Sequence, residues 1–326
     1  MNCRSRELVL VMAPALIGAL AVNEYIVATP VQTSDELGEV QFRNGVSIRR
    51  FERILWGRAI VARFMSEHEK ASLQQTRYWL CTPTAVDENE AYFRSWLALV
   101  CTQVICPVGG KNVHLRLVVT QDGLDNIGVI QHDELNSTLM GRVTDLHDVG
   151  FSHEFDPVFS AAQDAYRRGV VRIQNPLTLV HHGLHIREPH LSLMYWVMGL
   201  DMLMMAANVK RFVARLTHFL GENTLVFHRS STLGQQPKYT VADVAEEVYE
   251  LRSVIAHGQE IPPRYLAAFD FLSTDDAVIN VSPMTYGQHL SQCALFLLCK
   301  CLHKTLIENL VTDAAAPRAW RQHICP

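Results

Sequence analysis

Arg252 and His257 enclose four residues within the run Val248-Tyr249-Glu250-Leu251-Arg252-Ser253-Val254-Ile255-Ala256-His257-Gly258. A guanidinium keeps its charge at any accessible pH and offers a fork of donors to phosphate oxygens. It binds a phosphorane, whose charge has grown, better than it binds a phosphodiester. An imidazole titrates near neutrality and so can take or give a proton. The two side-chain types together point to chemistry at a phosphodiester.

The element that must position them is an amphipathic helix over 240–257. Thr240 is a suitable N-cap, and Asp243 three residues on makes a weak capping-box pattern. Val241, Val244, Val248, Leu251 and Ile255 fall in a sector about 80° wide at 100° per residue. Asp243, Glu246, Glu247 and Glu250 lie outside it, whereas Arg252 lies inside the apolar arc, between Val241 and Ala245. A charge on that stripe needs a carboxylate, an anion or a water-filled cleft. His257, five residues beyond Arg252, points about 140° away on an ideal helix, so the pair does not share a face. Gly258 marks the left-handed cap, which places His257 at the helix end where the chain changes direction.

The counterpart of Arg252 is Asp201, the one charged residue between Leu191 and Ala207. A lone carboxylate in an apolar helix is costly unless paired. The two are therefore expected to meet, with Asp201 orienting Arg252. A purely structural ion pair is the alternative reading of the same spacing.

At 326 residues, 48% hydrophobic and 19% charged, the chain is globular and long enough for two domains. The division expected is residues 1–152, a mixed α/β region of unassigned role, and residues 153–326, an antiparallel helical bundle. The fold class is thus mainly α, with a mixed α+β domain ahead of the bundle. A net charge of −4 argues against coating nucleic acid by bulk electrostatics, but not against a local basic site. No two of the eight cysteines have C-x-x-C spacing, which suits reduced thiols and a cytoplasmic chain. The run from Leu8 to Val22 loosely imitates a signal peptide but is expected to be a buried element. The run from Leu191 to Ala207 is expected to be a core helix rather than a membrane span.

Along the first half, residues 47–64 are helical in composition, 89–104 read as a helix, His114 to Thr120 as a strand, and 122–150 as loop. In the second half, Asp156-Pro157 starts a helix with Pro157 at its first position. Residues 173–185 are ambiguous because of Pro176. Helices follow over 189–207, 209–220, 240–257 and 283–311, with a linker at 234–238.

The pattern Tyr249-x-Leu251-Arg252-Ser253-x-Ile255-x-His257-Gly258 resembles the HEPN superfamily, and most closely its Apea-like branch. In that family an R-x4–6-H motif ends the third core helix, a small polar residue follows the arginine, and an upstream Leu-rich helix carries an acid. Ser253 stands at the polar position. Leu200-Asp201-Met202-Leu203 stands at the acidic one, with aspartate where the branch usually has glutamate. The resemblance covers roughly residues 185–312. It implies a metal-independent endoribonuclease acting as a homodimer, with RNA as substrate and no cofactor, and a toxin or antiviral-defence effector as its setting. Arg252 and His257 would be catalytic, Asp201 and Ser253 supporting, and Gly258 the structural cap. A non-catalytic module of the same fold that binds RNA or protein is the alternative, and an interaction protein with an accidental motif is a third reading.

Other candidates carry less. His181, His182, His185 and His190 lack the acid of a zinc-protease helix and read as capping or solvent-facing residues. Gly109-Gly110-Lys111-Asn112 lacks the spacing of a phosphate loop and reads as a turn. Arg167-Arg168 and Lys210-Arg211 read by default as solvated helix faces.

Overall fold

A computed structural model describes residues 25–31, 39–50, 78–84, 88–107, 113–120, 128–134, 151–186, 188–224, 226, 240–269 and 284–326. Helix predominates among them. The chain divides into two compact units, and among the described residues the boundaries fall inside helices, between Thr102 and Gln103 and between Ser160 and Ala161.

The first unit is built on an antiparallel sheet. Its strands are β1 (Tyr25–Val31), β2 (Val40–Gln41), β3 (Ser47–Arg50), β4 (Tyr78–Thr84), β5 (Val113–Thr120) and β6 (Gly128–Glu134), in the order β2-β3-β4-β1-β5-β6. Helix α1 (Glu88–Ile105) contributes Leu97, Val100 and Cys101 to the core. Two expectations fail here. Residues 47–50 are strand rather than helix, because Ser47 and Ile48 are buried on a strand paired with β4; the remainder of 51–64 lies outside the described residues. The stretch expected to be loop contains β6, whose Asp and Gly content hid a strand recruited by the edge of β5. The linker at 234–238, the glycine-rich turn at 109–112 and the run from Leu8 to Val22 also lie outside the described residues.

Helix α2 spans Phe151–Arg167, so Pro157 lies inside it rather than at its first position. Asp156 is not a cap. Its carboxylate accepts the backbone N–H groups of Arg43 at 3.0 Å and Asn44 at 3.4 Å, tying the β2–β3 turn. Next to this contact in sequence, Phe42 and Phe155 pack with ring centroids 4.4 Å apart. A tertiary demand on Asp156 thus overrides its local capping preference.

The second unit is helical: α3 (Val171–His185), α4 (Pro189–Met204), α5 (Val209–Leu220), α6 (Val241–Ala256), α7 (Pro263–Leu266), α8 (Tyr286–Ile307), α9 (Val311–Ala315) and α10 (Pro317–Ile324). Helix α3 runs continuously through Pro176, its sixth residue, at the cost of the one backbone bond that a proline cannot donate to the Arg172 carbonyl. Two short strands, β7 (Ala268–Phe269) and β8 (Met284–Thr285), pair before α8, and Thr285 with Gln288 makes a full capping box at its start. The reading of one closing helix over 283–311 therefore shortens to α8, with two further helices after it.

Helix α4 is the centre, packing against α3, α5, α6 and α8. Leu193, Trp196, Val197, Leu200 and Leu203 are fully buried. It ends at Met205, which adopts a left-handed conformation (φ 50°), and Asn208 then caps α5. The two helices meet at a 74° bend, so this link is not the antiparallel reversal expected of a simple bundle. Helix α8 is long and apolar enough to cross a membrane, and 78% of its apolar window is buried inside the fold.

Close approach to α4 depends on the absence of a side chain at Gly183 of α3. A Cβ there would lie 2.2 Å from Trp196 Nε1, far inside contact distance. Gly183→Ala is expected to cost about 1–3 kcal/mol by overpacking. Gly258→Ala, where nothing lies within 4 Å, costs only the backbone strain of a positive φ, about 1 kcal/mol. Urea unfolding checks this. Restoration of part of the Gly183→Ala loss by Trp196→Phe, with no effect of that change on Gly258→Ala, confirms the distinction.

Candidate active site

Helix α6 begins as its residues dictate. The Thr240 hydroxyl accepts from the Asp243 N–H, and the Asp243 carboxylate accepts from the Thr240 N–H at 2.8 Å. Val241, Val244, Ala245, Val248 and Leu251 are buried, while Ile255 is only half-buried. The apolar stripe therefore surfaces in the last turn, and Arg252 stands where it does so.

Arg252 and Asp201 meet. Nη2 lies 3.6 Å from Oδ2, with the side chains 26% and 21% exposed. The guanidinium also lies over the Tyr249 ring, 5.5 Å from its centroid, and that ring packs on Phe212 of α5 at 4.8 Å. The pair is incompletely satisfied. Arg252 Nε and Asp201 Oδ1 are both buried and have no hydrogen-bond partner among the described residues. Burial pushes the Asp201 carboxyl up to about 6, and the nearby Arg252 only partly opposes this.

His257 is exposed and forms the C-cap of α6. Gly258 adopts φ 63°. Its N–H bonds to the Ile255 carbonyl at 3.0 Å, and the Gln259 N–H bonds to the Val254 carbonyl at 3.0 Å. These two bonds make a Schellman motif, which consumes carbonyls the helix end would otherwise leave open. Ser253 contributes its carbonyl, which accepts the His257 N–H at 3.1 Å. The loop beyond is held by Arg264, which pairs with Glu250 at 3.0 Å and donates to the Tyr265 hydroxyl. Arg252 and His257 thus occupy one fixed helix end but different faces of it.

The last turn of α4, which follows Asp201, is held by groups that local sequence patterns do not reveal. Arg215 of α5 donates to the Met204 carbonyl at 2.8 Å and the Met205 carbonyl at 2.6 Å. Trp320 of α10 donates its indole N–H to the Leu203 carbonyl. The only sequence signal for Arg215 was its lack of an acidic neighbour along α5.

Of the histidines, His182 is exposed but His181 is buried, against the solvent-facing expectation; it faces the core side of α3, and its ring lies 6.0 Å from that of His182. Among the described residues no group of three or more His, Cys, Asp or Glu is placed to hold a metal ion. Cys101, Cys293, Cys299, Cys301 and Cys325 are free thiols. Burial raises the thiols of Cys101, Cys293, Cys299 and Cys301, so they pack as small hydrophobes.

Two buried groups give the fold opposed acid responses. The folded Asp201 carboxyl holds a proton up to about pH 6, above its ordinary value, so stability falls as pH rises from about 4 to 6. Burial pushes His289 down to about 4, so the unfolded chain binds that proton first and stability falls as pH drops from about 6.5 to 4. Asp201→Asn removes the first response and leaves the second. Between pH 7 and pH 4 the variant should lose about 2 kcal/mol more stability than the parent, and parallel pH curves from urea unfolding would refute the assignment. In Arg252→Gln, the Asp201 carboxyl should titrate higher still by NMR, since the cation that holds it down is gone.

The chain matches no protein-family model, no curated protein and no solved structure.

Proposed function

We propose that this protein is a metal-independent endoribonuclease of the HEPN type. The observation that carries the reading is the half-buried Arg252–Asp201 pair. It fixes a guanidinium, whose buried Nε has no partner among the described residues, on the last turns of a helix whose end displays an exposed histidine. RNA supplies its own nucleophile. The ribose 2′-oxygen gives up its proton, attacks the adjacent phosphorus and forms a phosphorane. The P–O5′ bond then breaks, leaving a 2′,3′-cyclic phosphate and a 5′-hydroxyl that has gained a proton. Arg252 would hold the phosphorane charge and His257 would move the proton.

Five residues of helix separate the two along the axis by about 7.5 Å, on faces about 140° apart. One chain therefore does not bring both groups to a single phosphate, and a two-fold dimer that sets one copy's Arg252 beside the other's His257 would do so. Asp201 orients Arg252, Ser253 and Gly258 shape the helix end, and the setting is a cytoplasmic toxin or defence effector.

The Arg252–Asp201 contact by itself favours a second reading, a helical module of the same fold that binds RNA or protein and uses the pair only for structure. Cleavage of an oligoribonucleotide in EDTA separates the two. The parent should yield cyclic-phosphate and 5′-hydroxyl ends by mass spectrometry, and a substrate with 2′-deoxyribose at the cut site should be inert. Arg252→Ala and His257→Ala should each lose at least about 100-fold in rate while keeping a cooperative melt. Folded variants that cleave as fast as the parent would leave only the second reading.

A further inference from the structure

Helices α5 and α10 pack together, with the Phe219 and Trp320 rings 5.7 Å apart. Their inner faces are apolar: Phe212, Leu216 and Phe219 on α5, and Trp320 and Ile324 on α10, are buried. Their outer faces expose Lys210, Arg211 and His218, and Arg318 and Arg321. Neither helix contains an aspartate or glutamate, although the chain as a whole has more acidic than basic residues. Two nearby acids are engaged, Asp313 with His323 at 2.8 Å and Asp201 with Arg252 at 3.6 Å, and the exposed acids of the neighbouring α6 lie on that helix rather than on α5 or α10.

Two further facts show unneutralised positive charge. Lys210 and Arg211 stand in the first turn of α5, which has no acid. That end of the helix dipole disfavours cations, so their placement costs stability unless an anion offsets it. Arg172, whose guanidinium donates to the Ala314 carbonyl, is held below the usual arginine range by burial and then by its like-charged neighbour Arg321.

The surface is joined to the candidate active site. Phe212 on α5 packs on Tyr249, the ring beneath Arg252. Arg215 on α5 grips the Met204 and Met205 carbonyls at the end of the helix that carries Asp201.

We propose that the outer faces of α5 and α10 form a track for the phosphate backbone of RNA leading to Arg252; this rests on reading that site as one that acts on RNA. An anionic membrane is the competing partner for a basic amphipathic helix. Such a helix lays its apolar face in the lipid, but here those faces are spent on the core. The exposed large apolar residues among the described ones are Val171, Leu191, Met198, Met202 and Leu266, none of them on α5 or α10.

The test measures binding of the full-length protein to a fluorescent 2′-O-methyl oligoribonucleotide, which attack by a 2′-oxygen cannot cleave, across a series of KCl concentrations. The double variant Arg211→Glu/Arg321→Glu should bind at least about tenfold more weakly. Its plot of log affinity against log salt should be shallower by about 0.7 for each phosphate that the variant no longer neutralises. Arg318→Gln/Arg321→Gln, a milder change at exposed positions, should shift both readouts in the same direction and guards against misfolding of the charge reversal. Unchanged affinity and slope in both variants would overturn the track, whatever the cleavage assay shows. Weakened binding in the variants with no cleavage by the parent would uphold the track and defeat the nuclease reading alone. A parent that ignores the oligonucleotide overturns the proposal, and binding to phosphatidylcholine–phosphatidylserine vesicles instead would assign the surface to lipid.

Discussion

A carboxylate on a buried apolar helix is the constraint around which the second unit is arranged. Asp201 lies on α4, whose inner face is fully buried and whose packing partners are four other helices. Leaving that charge unpaired would cost several kcal/mol. The Arg252 contact removes much of the penalty and also sets the register of α6 against α4. A slip of one residue along α6 would turn Arg252 by about 100°, away from its acid and into the core. Burial still raises the carboxyl, so compensation by Arg252 is incomplete. A well-satisfied structural pair would be bidentate and would use Nε; here Nε and Oδ1 have no partner among the described residues. An incompletely used guanidinium keeps donor capacity for a further acceptor.

The end of α4 is secured from several sides. Its last carbonyls are taken by Arg215 from α5 and by Trp320 from α10, and the left-handed Met205 then sends the chain off at 74°. The helix that bears Asp201 is therefore fixed in rotation by the glycine contacts of its middle and in length by polar contacts at its end. Tight packing at Gly183 and Gly199 leaves little room for α4 to turn. Order at the ion pair is thus a property of the whole helical unit rather than of two side chains.

The helices of this unit were legible wherever local rules and tertiary demands agree. Thr240, Asp243 and Gly258 cap α6 as their chemistry predicts, and the meeting of Arg252 with Asp201 followed from two charges that each lacked a local partner. Legibility failed where a residue answers to distant parts of the chain. Asp156 looked like a helix start because its carboxylate is a good cap, yet it serves the turn at residues 43 and 44. Strand β3 looked helical because Arg and Glu residues follow it, and only pairing with β4 makes it a strand. Arg215 and Trp320 could not be found in advance, since the carbonyls they bind are at least ten residues, and in one case more than a hundred, away in sequence.

Charge is segregated across the unit in a way its near-neutral balance conceals. The exposed acids of α6, among them Asp243, Glu246 and Glu250, lie away from its buried stripe, whereas α5 and α10 carry only basic residues. Mixing the two signs on each helix would have given more i,i+4 pairs and more stability, by about 0.2–0.5 kcal/mol per pair. The sorted arrangement forgoes that gain and creates a directional field instead, positive over α5 and α10 and weaker toward α6. Arg252 sits between these regions, tied by Tyr249 to the basic helix and by Asp201 to the apolar one. A polyanion approaching along the positive side would reach the guanidinium without crossing the acidic face. Repulsion from Asp243 and Glu246 would disfavour the opposite approach.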